Sequence, residues 1–194
     1  MKQIYILLIA LLMGLSANAE ESGTCGANLK WHLTDDGVLT ISGEGEMTDY
    51  SYLNRSPWYD SQNIKRIIID DSVTTIGNDA FNECSALTSV NIPNSVRAIG
   101  NDAFNYCSSL TSVTIPNSVT TIGKNAFSHC SHLTSVTIPN SVTTIADDTF
   151  SDCSSLTSVT IPNSVTTIGK NAFSECIYNH RTTKTNQKYP SVNL

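Results

Sequence analysis

The chain has 194 residues, of which 40% are hydrophobic, 7% aromatic and 14% charged, and its formal net charge at pH 7 is −6. This length accommodates one domain, or one domain with a small appendage. The acidic balance argues against a nucleic-acid-binding protein, which normally carries a basic patch, and against a polybasic membrane-surface protein.

The N-terminus has the pattern of a secretory signal peptide. A positive residue, Lys2, precedes an apolar run over 4–15, and a small-x-small sequence ends at Ala19. The apolar run is shorter than the roughly 20 residues that span a bilayer, so we expect no membrane-spanning segment here. A buried N-terminal helix is the alternative. We predict a signal peptide at 1–19, cleaved after Ala19, and a secreted or cell-surface location.

Residues 20–63 are predicted to form an N-terminal cap. Apolar and polar residues alternate over 38–42, which is typical of a strand in a β-hairpin. Trp31 and Trp58 are the largest apolar side chains of this segment, and they could cover the apolar end of whatever follows.

The sequence repeats every 23 residues over 64–178. The unit reads L-T-S-V-x-I-P-N-S-V-x-x-I-G-x-x-A-F-x-x-C-S-x and occurs about five times. All five Phe residues of the chain fall in one column: Phe81, Phe104, Phe127, Phe150 and Phe173. One unit is too short to close a core alone, but stacked units bury one another. We therefore predict a right-handed repeat solenoid.

Each unit is predicted to contain two extended steps and one short helical turn. L-T-S-V-x-I alternates as a strand that ends at a proline, and V-x-x-I forms the second step. A glycine such as Gly100 would permit a turn, and 101–104 would form a single helical turn with an Asn or Asp cap. The predicted fold is thus a stack of short parallel strands and short helical turns with an N-terminal β-hairpin cap.

These motifs resemble a known family. The L-x-x-V-x-I core with its 23-residue period and the I-P-x-S-V-x-x-I-G-x-x-A-F-x-x-C-S continuation, over 64–178, resemble the BspA-type leucine-rich repeat. The segments C-G-x-N-L-x-W-x-L at 25–33 and G-x-L-T-I-S-G-x-G-x-M at 37–47 resemble the entry cap of its exported members. The resemblance implies a cell-surface adhesin that binds host matrix or plasma proteins, or other cells.

The C-terminus departs from the repeat. The column that carries Leu in earlier units holds Asn179, and the residues that follow are polar and basic. We predict that 179–194 is a polar tail, which is either disordered or the end of a truncated version of a longer repeat protein. Both alternatives remain open at this point.

The cysteines are predicted to be free thiols. Five of the six form one repeat column: Cys84, Cys107, Cys130, Cys153 and Cys176. Neighbouring strands would place their Cα atoms about 4.8 Å apart, within disulfide range, but with parallel Cβ vectors. Small buried hydrophobes are therefore the favoured interpretation. Cys25 is then unpaired, or it meets Cys84.

No metal or cofactor is expected. No C-x-x-C or C-x-x-H pair converges with another, as a zinc site would require. His129 and His132 occupy columns whose residues vary between units, so they are interpreted as surface side chains.

No catalytic residues are predicted, and the chain is not expected to be an enzyme. Units 110–132 and 156–178 differ at only three positions, whereas an active site needs several different groups at one place. Glu44 and Glu46 could lie on one face of a strand, about 7 Å apart, as a glycosidase pair. No pocket-forming residues accompany them, so a solvated hairpin edge is favoured and no small-molecule substrate is expected.

Alternation along the first strand of each unit defines a candidate binding face. The side chains expected to point outward are Ser89, Asn91, Ser112, Thr114, Ser135, Thr137, Ser158 and Thr160. Such a flat, uncharged surface suits many weak contacts with an extended protein partner. The predicted function is a non-catalytic, exported adhesin or protein-binding module. A truncated structural scaffold or fragment without binding activity is the alternative. A more distant one is an ice-binding surface, which regular columns of Ser and Thr also resemble.

Overall fold

The computed structural model describes residues 21–177, so the predicted signal peptide at 1–19 and the predicted tail at 179–194 lie outside the described residues. The described part is built from strands and turns, and it contains no helix that is long and apolar enough to cross a membrane. Its strands are β1 (Glu21–Thr24), β2 (Leu29–Leu33), β3 (Val38–Gly43), β4 (Gly45–Glu46), β5 (Arg66–Ile69), β6 (Val73–Ile76), β7 (Ser89–Asn91), β8 (Ala98–Ile99), β9 (Thr121–Ile122), β10 (Ser135–Thr137), β11 (Thr144–Ile145), β12 (Ser158–Thr160) and β13 (Thr167–Ile168).

The N-terminal strands extend the sheet of the repeats. The strand predicted over 38–42 is confirmed as β3, which pairs antiparallel with β2 so that Trp31 lies opposite Ile41. The other edge of β3 pairs in parallel with β5, with Leu39 opposite Ile67. Because Leu39 and Ile41 are fully buried, the hairpin covers the apolar end of the first repeats. The exact boundary between cap and solenoid stays a prediction.

The strands form two rows, in which β1, β2 and β3 pair antiparallel and the remaining pairs are parallel. One row has the order β1-β2-β3-β5-β7 and, beyond the bridge between Ser112 and Ser135, continues as β10-β12. The other has the order β4-β6-β8-β9, followed by β11-β13. Residues 23 positions apart lie opposite each other, as Val136 and Val159 do. Four of the five units contain both predicted extended steps as strands, since coils stacked at strand spacing pair their backbones. In unit 110–132 the first step is reduced to the single bridge at Ser112.

A ladder of aromatic rings runs through the core. Successive phenylalanine rings of the column lie 5.2–5.5 Å apart, close to parallel except for the first pair. Trp58 continues the ladder, with its ring 5.8 Å from that of Phe81. Trp58 precedes Phe81 by one 23-residue period, so it occupies the phenylalanine position of an earlier coil. Trp58 lies in the segment predicted as the cap, and the 23-residue pattern over 64–178 does not include it.

The helical turn predicted over 101–104 does not form. Asp102 and Tyr106 adopt the left-handed conformation, with φ of 53° and 57°, which a right-handed helical turn excludes. Consecutive tight turns take its place, and the N–H of Phe104 donates to the carbonyl of Ala126 in the next coil at 2.8 Å. The corner therefore stacks coil on coil through its own backbone hydrogen bonds.

The repeat glycines have a different role from the one predicted. Gly100 and Gly123 do not adopt the left-handed conformation. Instead, a Cβ atom on Gly123 would lie 2.6 Å from the backbone nitrogen of Asn101 in the preceding coil. Glycine is thus favoured by the close approach of two backbones, although Ala146 fills the same column in one coil.

Candidate functional site

The eight predicted face residues lie on one side of the first row of strands. Seven of them are exposed, and Ser89 is half-buried. The residues between them, such as Val90, Val113 and Val136, are buried. Alternation along each strand therefore separates a core side from a solvent side, as the sequence predicts.

The face residues form columns across the coils. Ser112, Ser135 and Ser158 lie opposite one another in successive strands, and so do Thr137 and Thr160. Parallel strands lie about 4.8 Å apart, so each column presents hydroxyl groups at that spacing. The result is an open surface with a regular spacing of polar groups.

Other hydroxyl groups of the repeat are engaged between coils. The hydroxyl of Thr88 donates to the carbonyl of Lys65 at 2.9 Å, and that of Thr134 donates to the carbonyl of Thr111 at 3.3 Å. The side chains of the eight face residues, by contrast, donate no hydrogen bond to any part of the described range 21–177. Their hydroxyl and amide groups are therefore available to a ligand.

The face extends further toward the N-terminus than predicted. Arg66 and Ile68 stand 23 residues before Ser89 and Asn91, and they lie opposite these residues in the sheet. Thr40 of β3 continues the column beyond Ile68. The 23-residue spacing was the available signal. The first unit conceals it, because it reads I-K-R-I-I-I at 64–69 where later units read L-T-S-V-x-I.

An open depression of about 430 Å³ lies where β5 and β7 meet. Its lining includes Arg66, Ile68, Ser89, Asn91, Ile92 and Thr114. Three of these, Ser89, Asn91 and Thr114, were predicted face residues. The depression combines an apolar wall with hydrogen-bond donors, and it is a groove in the sheet surface.

The two histidines considered as metal ligands have surface contacts. The ring of His129 stacks on that of Tyr106, with centroids 4.1 Å apart, and its Nε2 lies 3.8 Å from Oδ2 of Asp152. Nδ1 of His132 lies 2.6 Å from the carbonyl oxygen of Ser108. Over residues 21–177, no group of three or more His, Cys, Asp or Glu side chains could hold a metal ion.

The candidate carboxylate pair lies on an irregular segment. Glu44 and Glu46 are both exposed, and Gly45 between them has a φ of 101°. The register between β4 and β6 shifts at this point. The regular alternation that would place both carboxylates on one face is therefore missing.

The cysteine column forms a ladder of free thiols, as predicted. The Sγ atom of Cys107 donates to the carbonyl of Phe81 at 3.2 Å, and that of Cys130 donates to the carbonyl of Phe104 at 3.3 Å. Burial raises the pKa of the Cys84 thiol to about 12 and places those of Cys107 and Cys130 above their ordinary value. Such thiols are poor nucleophiles.

Alkylation of the folded chain is expected to label Cys176 first. Cys176 is half-buried, and its pKa is lowered mainly by the thiol of Cys153, whereas Cys107 and Cys130 are fully buried. We expect Cys107 and Cys130 to react with iodoacetamide at least about tenfold more slowly. Mass mapping of the labelled peptides measures the rates, with denatured chain as the control. Equal rates in the folded chain would contradict the buried ladder.

Residues 51–180, more than half of the chain, match the family model described as BspA type leucine rich repeat region, in six copies. The chain belongs to the BspA-type leucine-rich repeat family. The match begins before the predicted start at 64, in agreement with the position of Trp58 in the aromatic ladder. Members of this family are generally non-enzymatic binding proteins, and no catalytic family is indicated.

Solved structures of similar proteins support the same fold. A leucine-rich cell surface protein from Faecalibacterium prausnitzii A2-165 is 33% identical to this chain, with a TM-score of 0.61. The match covers 84% of this chain and 48% of that protein's chain. This chain therefore spans about half the length of that protein. The leucine-rich repeat protein of T. pallidum is 24% identical, with a TM-score of 0.52, and the match covers 76% of this chain and 86% of that one. At this identity, the likeness shows the fold alone. No curated protein matches the sequence.

Proposed function

We propose that this protein is an exported, non-catalytic leucine-rich repeat protein that binds another protein at the cell surface, as an adhesin or binding module. The sheet face would contact an extended segment of a host matrix or plasma protein, or of a protein on another cell. The observation that carries the proposal is the set of eight Ser, Thr and Asn side chains of the sheet face, seven of them exposed, whose polar groups are not engaged by the described residues.

The physical character of the face favours a protein over a small molecule. Small ligands are usually enclosed in concave pockets, whereas this face is open and repeats its chemistry from coil to coil. Each hydroxyl contact is weak, but contacts repeated along one partner add. A rigid sheet also loses little conformational freedom on binding, so more of the contact energy appears as affinity.

The cell-surface location rests on two separate observations. The N-terminal sequence has the pattern of an export signal. The similar protein from Faecalibacterium prausnitzii A2-165 is a cell surface protein. These two observations together favour a partner protein that is located outside the cell.

A tryptophan at Thr137 is expected to weaken partner binding at least about tenfold, because the bulky ring would separate the two surfaces at the centre of the face. Thr137 is exposed on β10, and a partner would first be found by screening the purified chain against matrix and plasma proteins. Thr121→Trp is the matched control, since Thr121 is exposed on β9 in the other row of strands.

The two variants separate the possible results. A saturable partner that Thr137→Trp weakens and Thr121→Trp does not would support the sheet face as the binding site. Equal affinity of both variants and the unmodified chain would place binding elsewhere. A well-folded chain without any partner would favour the structural scaffold.

A further inference from the structure

The outward side chains of β2, β3, β5, β7, β10 and β12 include positive charges and no carboxylate, although the chain as a whole has a net charge of −6. The exposed Asp70 directly follows β5, and its carboxylate accepts a hydrogen bond from the N–H of Gly43. The outward-facing side chains of β2, β3, β5, β7, β10 and β12 are polar, apolar or basic. The fixed positive charges among them are Lys30 and Arg66, both exposed. We propose that the depression at Arg66 is an anchor subsite for a glutamate or aspartate side chain of the protein partner. This inference rests on the proposed function of the sheet face.

The lining of the depression suits a carboxylate. Arg66 lies opposite Ser89, and Ile68 lies opposite Asn91, so a guanidinium, a hydroxyl and an amide surround one apolar wall. Guanidinium binds carboxylate through two parallel, charge-assisted hydrogen bonds. The hydroxyl of Thr114 adds a further donor at the side of the depression that faces the later coils.

Arg66 is not engaged in an ion pair with the described residues. Over residues 21–177, the nitrogen–carboxylate contacts within 4 Å are those of Lys124 with Asp147 and of His129 with Asp152, and the second is an ion pair only when His129 is protonated. The pKa of the nearby Asp36 carboxyl is lowered mainly by the hydrogen bond from the hydroxyl of Thr34, and also by the charge of Arg66. Asp36 makes no ion pair within 4 Å of Arg66 and does not line the depression. The guanidinium therefore keeps its capacity to bind an incoming carboxylate.

The surroundings favour a side chain of an extended polypeptide over other anions. The face continues on both sides of the depression, through Thr40 on β3 and Thr137 on β10, so a bound chain can pass across it without ending there. Polyanions such as sulfated glycans or nucleic acids depend on many basic contacts, and two fixed charges are too few.

The test uses two fluorescent twelve-residue peptides with blocked ends, one alternating Ser and Glu and the other alternating Ser and Gln. At low salt, we expect the purified full-length chain to bind the Ser-Glu peptide at least about tenfold more tightly than the Ser-Gln peptide. This preference should become smaller at 0.5 M salt, because salt screens the charges. Arg66→Glu should abolish this preference. Arg97→Glu makes the same charge change at an exposed residue just before β8, outside the face, and should preserve it.

Several results would overturn the subsite. The first three are equal affinity for the two peptides, no binding of either peptide, and equal loss of affinity in the two arginine variants. The other two are binding that requires a free peptide C-terminus and stronger binding of a sulfated oligosaccharide than of either peptide. If Thr137→Trp still weakens the Ser-Gln peptide or the screened protein partner, the sheet face stands and only the acidic subsite fails. If Thr137→Trp weakens neither the binding of the Ser-Gln peptide nor that of the screened protein partner, both the acidic subsite and the proposed function of the sheet face fail.

Discussion

Replacing Phe127 by alanine is expected to lower the free energy of unfolding by about 3–5 kcal/mol. Phe127 is fully buried, and its ring lies 5.2 Å from that of Phe104 and 5.5 Å from that of Phe150. The substitution removes a ring at the centre of the ladder and leaves a cavity between two coils. Because the coils are held by backbone hydrogen bonds on several sides, they cannot simply close the gap.

Urea denaturation followed by circular dichroism measures this loss. Phe127→Leu keeps most of the side-chain volume, so it should lower the free energy of unfolding clearly less than Phe127→Ala does. Thr121→Ala changes an exposed residue on β9 and should leave stability within about 0.5 kcal/mol of the original chain. An alanine variant at position 127 that unfolds at the same urea concentration as the original chain would contradict the stacked core.

Replacing Trp58 by alanine should lower the free energy of unfolding by a similar amount, about 3–5 kcal/mol. We expect the N-terminal strands β1 to β4 to unfold locally before the rest of the chain. The Trp58 ring stacks on Phe81 and meets the edge of Trp31 at a centroid distance of 5.5 Å. Its Nε1 donates to the carbonyl of Ala80 at 2.7 Å. One side chain thus joins the hairpin to the aromatic ladder.

Trp58→Phe is the matched variant for this prediction. It retains an aromatic ring but loses the indole hydrogen bond, so a cost of about 1 kcal/mol from the bond is expected, smaller than that of alanine. Limited proteolysis compares the variants: Trp58→Ala should be cleaved faster within 21–57 than Trp58→Phe. Equal stability and equal cleavage of the two would show that the ring itself is dispensable.

The repeat made the face and the core predictable from the sequence. A residue such as Val136 recurs every 23 positions, and strand alternation then assigns Thr137 to the opposite side. The same reasoning placed the cysteines in a ladder. Arg66 and Ile68 were missed because the first unit is degenerate, although the spacing from Ser89 and Asn91 would have identified them.

The corner of each coil was not predictable from local pattern. Asn101-Asp102-Ala103-Phe104 has the composition of a capped helical turn, yet Asp102 is left-handed. The N–H of Phe104 bonds to the next coil, a partner that local sequence does not contain. Tertiary hydrogen bonds therefore override the local helical preference.

The sequence by itself determined the period, the parallel pairing and the identity of the inward columns, because each follows from residue spacing and the twofold alternation of strands. Only the tertiary structure decided how the coils meet. It placed Trp58 at the start of the aromatic ladder, made Gly123 a point of backbone contact, and formed the depression beside Arg66. The physical reason is that these features depend on the distance between neighbouring coils, which is set by packing across the stack and is not encoded within a single unit.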